Sequence, residues 1–137
     1  MRYETPSPPA ELGEVAGLAY SLWLPERDPW GGVVILHGAG SQKENQFDVA
    51  RALRAAGVPA ICFDQRGHGE SDGALGAGAL DDVATMAALL PPGPIALRGS
   101  SMGGFMALMA STRMPVVGVV AICPATAGLL ARGLRTG

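Results

Sequence analysis

Residues 96–106 read ALRGSSMGGFM: an apolar run, two serines enclosed by glycines, then the start of an Ala/Met-rich segment. Met102, Phe105, Met106 and Met109 recur at helical spacing, so the stretch predicts a buried strand that turns sharply into a helix. A Gly-x-Ser-x-Gly pattern on such a turn needs small residues on either side, because the strained backbone of the serine leaves no room for larger ones. Two registers exist, but only Gly99-Ser100-Ser101-Met102-Gly103 carries glycine at both flanking positions. Ser101 is therefore the predicted apex, with Gly99 and Gly103 as its supports, and Gly104 adds a second small residue where the helix approaches the sheet. The competing reading of the same residues is a glycine-rich turn with an N-capping serine. The strand before and the helix after favour the elbow.

The rest of the chain repeats the strand-then-helix order. VVIL (33–36), VPAICF (58–63), PIAL (94–97) and VVGVVAIC (116–123) are short apolar runs without polar alternation, as expected of parallel strands buried on both faces. Helix-period stripes lie between them: Val49, Ala50, Leu53 and Ala56, then Leu80, Val83, Ala84 and Ala87. The alternation predicts right-handed crossovers and one α/β domain over residues 1–137, with an open, mostly parallel sheet and helices on both faces. GLAYSLWLP (17–25) alternates Leu18, Tyr20, Leu22 and Leu24 against Ala19, Ser21 and Trp23, which suits an antiparallel strand at the sheet's edge.

In such sheets ligands bind beyond the carboxyl ends of the strands. Four polar or glycine-rich segments collect there: HGAGSQ from His37, DQRGHGESDG from Asp64, RGSSMGG from Arg98 and PAT from Pro124. If Ser101 attacks an acyl carbon, donors must face the developing oxyanion. Met102 supplies one N–H after the nucleophile. The second comes from HGAG, where Gly38 and Gly40 let the backbone turn the Ala39 N–H toward Ser101.

With these three pieces in order, VVILHGAGSQ, FDQRGHGESDG and LRGSSMGG, the chain resembles the α/β-hydrolase superfamily, within it the monoglyceride lipase and serine-aminopeptidase-like group. The resemblance runs from about residue 17 to 124. It implies Ser101 as nucleophile, Ala39 and Met102 as oxyanion-hole amides, His37 as a residue that shapes the oxyanion loop, and Asp64, Arg66 and Ser71 as braces of the loop after the fourth strand. The reaction implied is hydrolysis of ester, thioester or amide bonds in a small acyl substrate, without a cofactor.

Other chemistries fit the spacing poorly. GAGSQK lacks the third glycine of a dinucleotide fingerprint, and no Gly-x4-Gly-Lys-Ser/Thr occurs. Neither histidine stands at metal-ligand spacing from the other or from a cysteine, so no metal site is predicted, and Asp81 and Asp82 read as dipole partners of a helix start. A net charge of -2, with one lysine among ten basic residues, gives no footprint for nucleic acid or anionic lipid. The polar, proline-rich start and the proline-broken apolar stretches predict neither a leader nor a membrane span. Cys62 and Cys123 each lie in an apolar run and read as reduced core residues of a cytoplasmic protein.

The activating base is missing from this pattern. The superfamily's order is Ser, Asp or Glu, then His, yet no Asp, Glu or His follows Ser101; His37 and His68 both precede it. The expectation is therefore an incomplete serine hydrolase, stopped after the sixth strand and nearly inactive as it stands, since losing the histidine of such a site costs about 10⁶ in turnover. The alternative is a noncatalytic binding or assembly partner with a hydrolase fold. In either case the 116–123 strand is expected to be an open edge through which the chain self-associates.

Overall fold

Three of the apolar runs become the central parallel strands of a computed structural model, of which residues 6–125 are described here as structure. The strands are β1 (Glu11–Val15), β2 (Leu18–Trp23), β3 (Gly32–Leu36), β4 (Ala60–Phe63), β5 (Ile95–Ser100) and β6 (Gly118–Ile122). The helices are α1 (Phe47–Ala55), α2 (Ala79–Ala87) and α3 (Met102–Ala110), with a single 3-10 turn at Lys43–Gln46. The sheet order is β1-β2-β4-β3-β5-β6. The β1–β2 and β2–β4 pairs are antiparallel, whereas β4, β3, β5 and β6 run parallel.

Strand periodicity divides the core between the two faces of the sheet. Leu18, Tyr20, Leu22, Val34, Leu36, Ile61, Phe63 and Leu97 point to the side that α2 and α3 cover with Val83, Met86, Met102 and Met106. Trp23, Ile35, Ala60 and Cys62 point to the other, beneath Ala50, Phe47 and Leu53 of α1. Helices thus lie on both faces, as the alternating sequence requires. A fully buried side chain of this size contributes about 1.5–3 kcal/mol, so a register slip in β3 or β4 would cost most of the core.

The pairing also aligns the strand ends. Leu36 lies opposite Phe63 on one side and Gly99 on the other. The loops from His37 and Asp64, and the turn at Ser101, therefore leave the sheet side by side.

Several expectations change. The 17–25 strand is not the edge, because β1 pairs outside it. β1 escapes an apolar-pattern search because it is mostly exposed, with two glutamates and a glycine, and main-chain pairing holds it. The ring of Tyr20 lies where a side chain at Gly13 would stand, and its hydroxyl donates to Glu11 Oε1 at 3.0 Å. Ala56, just past the end of α1, faces solvent, as do Ala84 in α2 and Met109 in α3. Asp82 and Met86 take the inward positions in α2, where Arg66 pairs with Asp82, and Gly103, Ala107 and Ala110 do so in α3. Cys62 is buried as expected, but Cys123 lies past the end of β6 and is exposed. In the PAT segment, Thr126 lies outside the described residues, as does the LLARGLRTG ending.

Candidate active site

Ser101 stands between β5 and α3 with φ 53° and ψ -117°. A non-glycine residue there stores about 1–3 kcal/mol of backbone strain, which only a well-determined surround can hold. The surround consists of main-chain contacts. The Ser101 N–H donates to Ile122 O at 3.0 Å, and its carbonyl accepts the N–H groups of Phe105 at 3.1 Å and Ala125 at 3.0 Å. A β-carbon on Gly99 would strike the Gly103 carbonyl, and one on Gly103 would strike the carbonyls of Leu36 and His37. Both glycines are thus required by close backbone approach. The Ser101 side chain is exposed, and among the described residues its Oγ has no hydrogen-bond partner. Ser100 remains in the strand, paired across to Ile122.

The loop after β3 passes over this turn. A β-carbon on Gly38 would lie 3.6 Å from Ser101 Cβ. Ser41 N–H then returns to Gly38 O at 3.1 Å, closing a turn with Gly40 at φ 73°. Among the described residues neither the Ala39 N–H nor the Met102 N–H has an acceptor. Both predicted donors are thus unpaired, in segments adjoining Ser101.

Both histidines are already engaged. His37 is fully buried; its Nδ1 donates to Gly38 O at 2.8 Å and its Nε2 accepts the Gln65 N–H at 3.0 Å. Burial pushes the His37 pKa down against the opposing pull of the Gly38 carbonyl, so the ring is neutral with its proton on Nδ1. Gln65 Nε2 donates to His37 O at 2.8 Å, completing a two-bond clamp. His68 accepts the Gly40 N–H on Nε2 at 3.0 Å, while its Nδ1 donates to Arg66 O at 3.1 Å. Neither ring presents a free Nε2 for Ser101 Oγ.

Below these bonds lies a buried ion pair. Asp64, fully buried, accepts the Lys43 N–H at 2.7 Å, the Lys43 ammonium at 3.0 Å and the Glu70 N–H at 3.0 Å. Burial works to raise the Asp64 pKa, but the Glu70 and Lys43 N–H groups and the ammonium hold it below the ordinary carboxylate value. Lys43 moves the other way: burial works to lower its pKa, and hydrogen bonds to Glu44 and Asp64 hold it well above the usual value. The carboxylates of Glu44, Asp64 and Glu70 come within 4.8 Å of one another, and the Lys43 ammonium bonds to each of them. Gly69, at φ 50°, sits so close to Asp64 that a β-carbon would strike the carboxylate.

Ser71 Oγ donates to Asp64 O and accepts the Ala19 N–H at 2.8 Å. Arg66 grips Asp82 through Nε at 2.8 Å and Nη2 at 3.0 Å. Asp64, Arg66 and Ser71 thus each tie the loop that begins at Asp64 to a neighbouring segment. Lys43 and Gln65 complete the arrangement without having been predicted. The one available signal for Lys43 was its being the only lysine in the chain.

A sheet of this order, with a strained serine between strand and helix after its third parallel strand in the chain, defines an α/β hydrolase. Residues 27–132 match the family described as "Serine aminopeptidase, S33", and the chain belongs to that family. It is similar to the monoacylglycerol lipase of Mycolicibacterium smegmatis, 31% identical over 72% of this chain and 38% of the lipase. It is also similar to the human monoglyceride lipase, 29% identical over 74% of this chain and 37% of that enzyme. Among solved structures, mouse alpha/beta hydrolase domain-containing protein 10 superposes with a TM-score of 0.68 at 25% identity, covering 93% of this chain and 54% of that one. The chain spans little more than a third of the length of these two lipases.

Proposed function

We propose that this chain carries the nucleophile and oxyanion hole of a serine hydrolase for acyl esters, with monoacylglycerols the favoured substrate class. One observation carries the reading: an exposed Ser101 Oγ on a strained turn, in a segment adjoining the N–H groups of Met102 and Ala39, all three without a hydrogen-bond partner among the described residues. In the proposed reaction Ser101 Oγ bonds to the ester carbonyl carbon and gives its proton to a base. The carbonyl electron pair moves onto oxygen and is met by the two N–H groups, then returns as the alcohol departs with that proton. Water repeats the sequence on the acyl-serine and releases the acid. The substrate class is suggested by the names of the related lipases. Because both histidine Nε2 atoms already accept backbone N–H groups, the base and its acid are assigned to a segment or partner outside the 137 residues.

A fluorophosphonate probe tests this reading. In a form supplied with its base, labelling is lost in Ser101→Ala and kept in Ser100→Ala; the reverse would overturn the register. The 137-residue chain alone should label weakly. Strong labelling with a bell-shaped pH profile would place a base inside it and sink the assignment of that base elsewhere.

The described helices all pack on one sheet, which supports a single domain. Both cysteines are free, and burial pushes the Cys62 thiol up to about 12, which makes it an inert core residue. No helix of the described residues is long and apolar enough to cross a membrane.

Self-association through β6 belongs to the same reading. Among the described residues β6 is the last strand of the sheet, and Val117, Val120 and Ile122 are exposed on or beside it. Val119 packs inward beside α3 instead, so Val120→Lys is the informative variant. In sedimentation at tens of micromolar, roughly the range in which open edges associate, the parent chain should run as dimer or larger and Val120→Lys as monomer. A monomeric parent would remove the interface.

A further inference from the structure

The turn that carries Ala39 is held from outside by one imidazole. Gly38, Ala39, Gly40 and Ser41 form a β-turn closed by Ser41 N–H to Gly38 O, with Gly40 at φ 73°. A positive φ at the third residue marks a type II turn, and rotating the central peptide by half a revolution converts it to type I. That central peptide is the Ala39–Gly40 bond. Glycine at its second position makes both forms sterically accessible, so sterics alone do not select between them. The group that distinguishes them is the Gly40 N–H, which here donates to His68 Nε2 at 3.0 Å. After the flip, the Ala39 carbonyl faces His68 instead.

His68 is suited to this selection. Its Nδ1 faces the Arg66 carbonyl at 3.1 Å and must donate to it, so the neutral ring has only an acceptor left on Nε2. Protonation places a hydrogen on Nε2, which opposes the Gly40 N–H and suits the flipped carbonyl. The ring is half-buried, within reach of solvent protons. From the β3 side it faces His37, centroid to centroid at 4.9 Å, whose own nitrogens are held by Gly38 O and Gln65 N–H. From its own loop the charged neighbours are Arg66, paired with Asp82, and Asp64 and Glu70, which with Glu44 of the 3-10 turn are joined to Lys43.

We infer that His68 is a positioning residue of the oxyanion loop: as a neutral acceptor it fixes the Ala39–Gly40 peptide in the turn observed, and on protonation it releases that peptide. The role of the loop rests on the serine-hydrolase reading; the clamp rests on geometry alone.

The test is nuclear magnetic resonance on the 15N-labelled chain between about pH 8 and 5, the span in which histidine ordinarily changes charge. At high pH a scalar coupling should connect the Gly40 amide nitrogen to His68 Nε2 across the N–H···N bond. As pH falls, that coupling is lost, and the Gly40 and Ala39 amide resonances move together with those of the His68 ring. His68→Gln, which restores an acceptor without a proton equilibrium, should keep both resonances fixed across the range. His68→Phe should hold them at their low-pH positions throughout. Amides that stay still while His68 titrates, or that are unchanged in His68→Phe, overturn the clamp; if the Phe variant does not fold, the parent and His68→Gln titrations decide. An intact titration with no labelling at Ser101 even in the form supplied with its base would sink the hydrolase reading and leave the clamp. Labelling at Ser101 with unmoved amides would do the opposite.

Discussion

The two sides of Ser101 are held by different physics. On the side of β3 and β4, the loops beginning at His37 and Asp64 are joined by polar bonds: two between His37 and Gln65, one from Gly40 to His68, and the two from Lys43 to Asp64. On the side of β5 and β6, the elbow is held by glycine backbones in contact and by three main-chain hydrogen bonds to Ser101. The first arrangement contains groups that titrate, whereas the second contains none. Protonation can loosen the loop that carries Ala39, but only steric change can loosen the turn that carries Ser101.

The largest expected effect comes from breaking the polar side. Lys43→Met leaves the buried Asp64 carboxylate with two backbone N–H groups and no counter-charge, a loss of about 3 kcal/mol. The pH dependence follows from the two shifts. Asp64 has a folded pKa below its unfolded value of about 3.9, so its stabilisation is present above that value and lost as pH falls through the folded one. Lys43 is raised, so its stabilisation is complete below about 10.4 and lost as pH rises through its folded value. Urea unfolding of parent and variant at pH 7 measures the loss, and repeating it toward pH 3 should show the variant's acid limb starting at higher pH. Equal stability at pH 7 would mean the ion pair contributes nothing to joining the loops.

This division also explains what could be read from residues alone. The elbow was legible because its requirements are local: Gly99 and Gly103 lie two positions either side of Ser101, and the clashes they avoid are with one another and with the neighbouring strand end. The central strands were legible because burial on both faces leaves no polar alternation, as in VVIL. β1 was not, because ELGEV is held by its neighbour's main chain rather than by apolar side chains. Lys43 and Gln65 were not, because their partners lie 21 and 28 residues away and nothing in SQKEN or DQRG distinguishes an internal lysine or glutamine from a solvated one. The pairing of His68 with Gly40 spans the same 28-residue gap, and nothing in RGHGE marks that partner.

The smallest expected effect sharpens the comparison on the steric side. Ser101→Gly relieves about 1–3 kcal/mol of backbone strain, while the added freedom of glycine in the unfolded chain removes about 0.5–1 kcal/mol. The variant should therefore be more stable than the parent by about 1 kcal/mol. Ser101→Ala is the control: it keeps the β-carbon at φ 53° and removes only an exposed hydroxyl, so its stability should stay within about 0.5 kcal/mol of the parent. The gap between glycine and alanine in urea midpoints then reads the backbone strain itself, free of any contribution from Oγ. Because no titratable group takes part, the gap should stay the same from pH 7 toward about pH 3, unlike the Lys43 effect, whose partner is a carboxylate. A glycine variant no more stable than alanine would mean that the turn is relaxed as it stands. The exposure of Ser101 would then follow from where the strand ends, with no stored energy holding the side chain out.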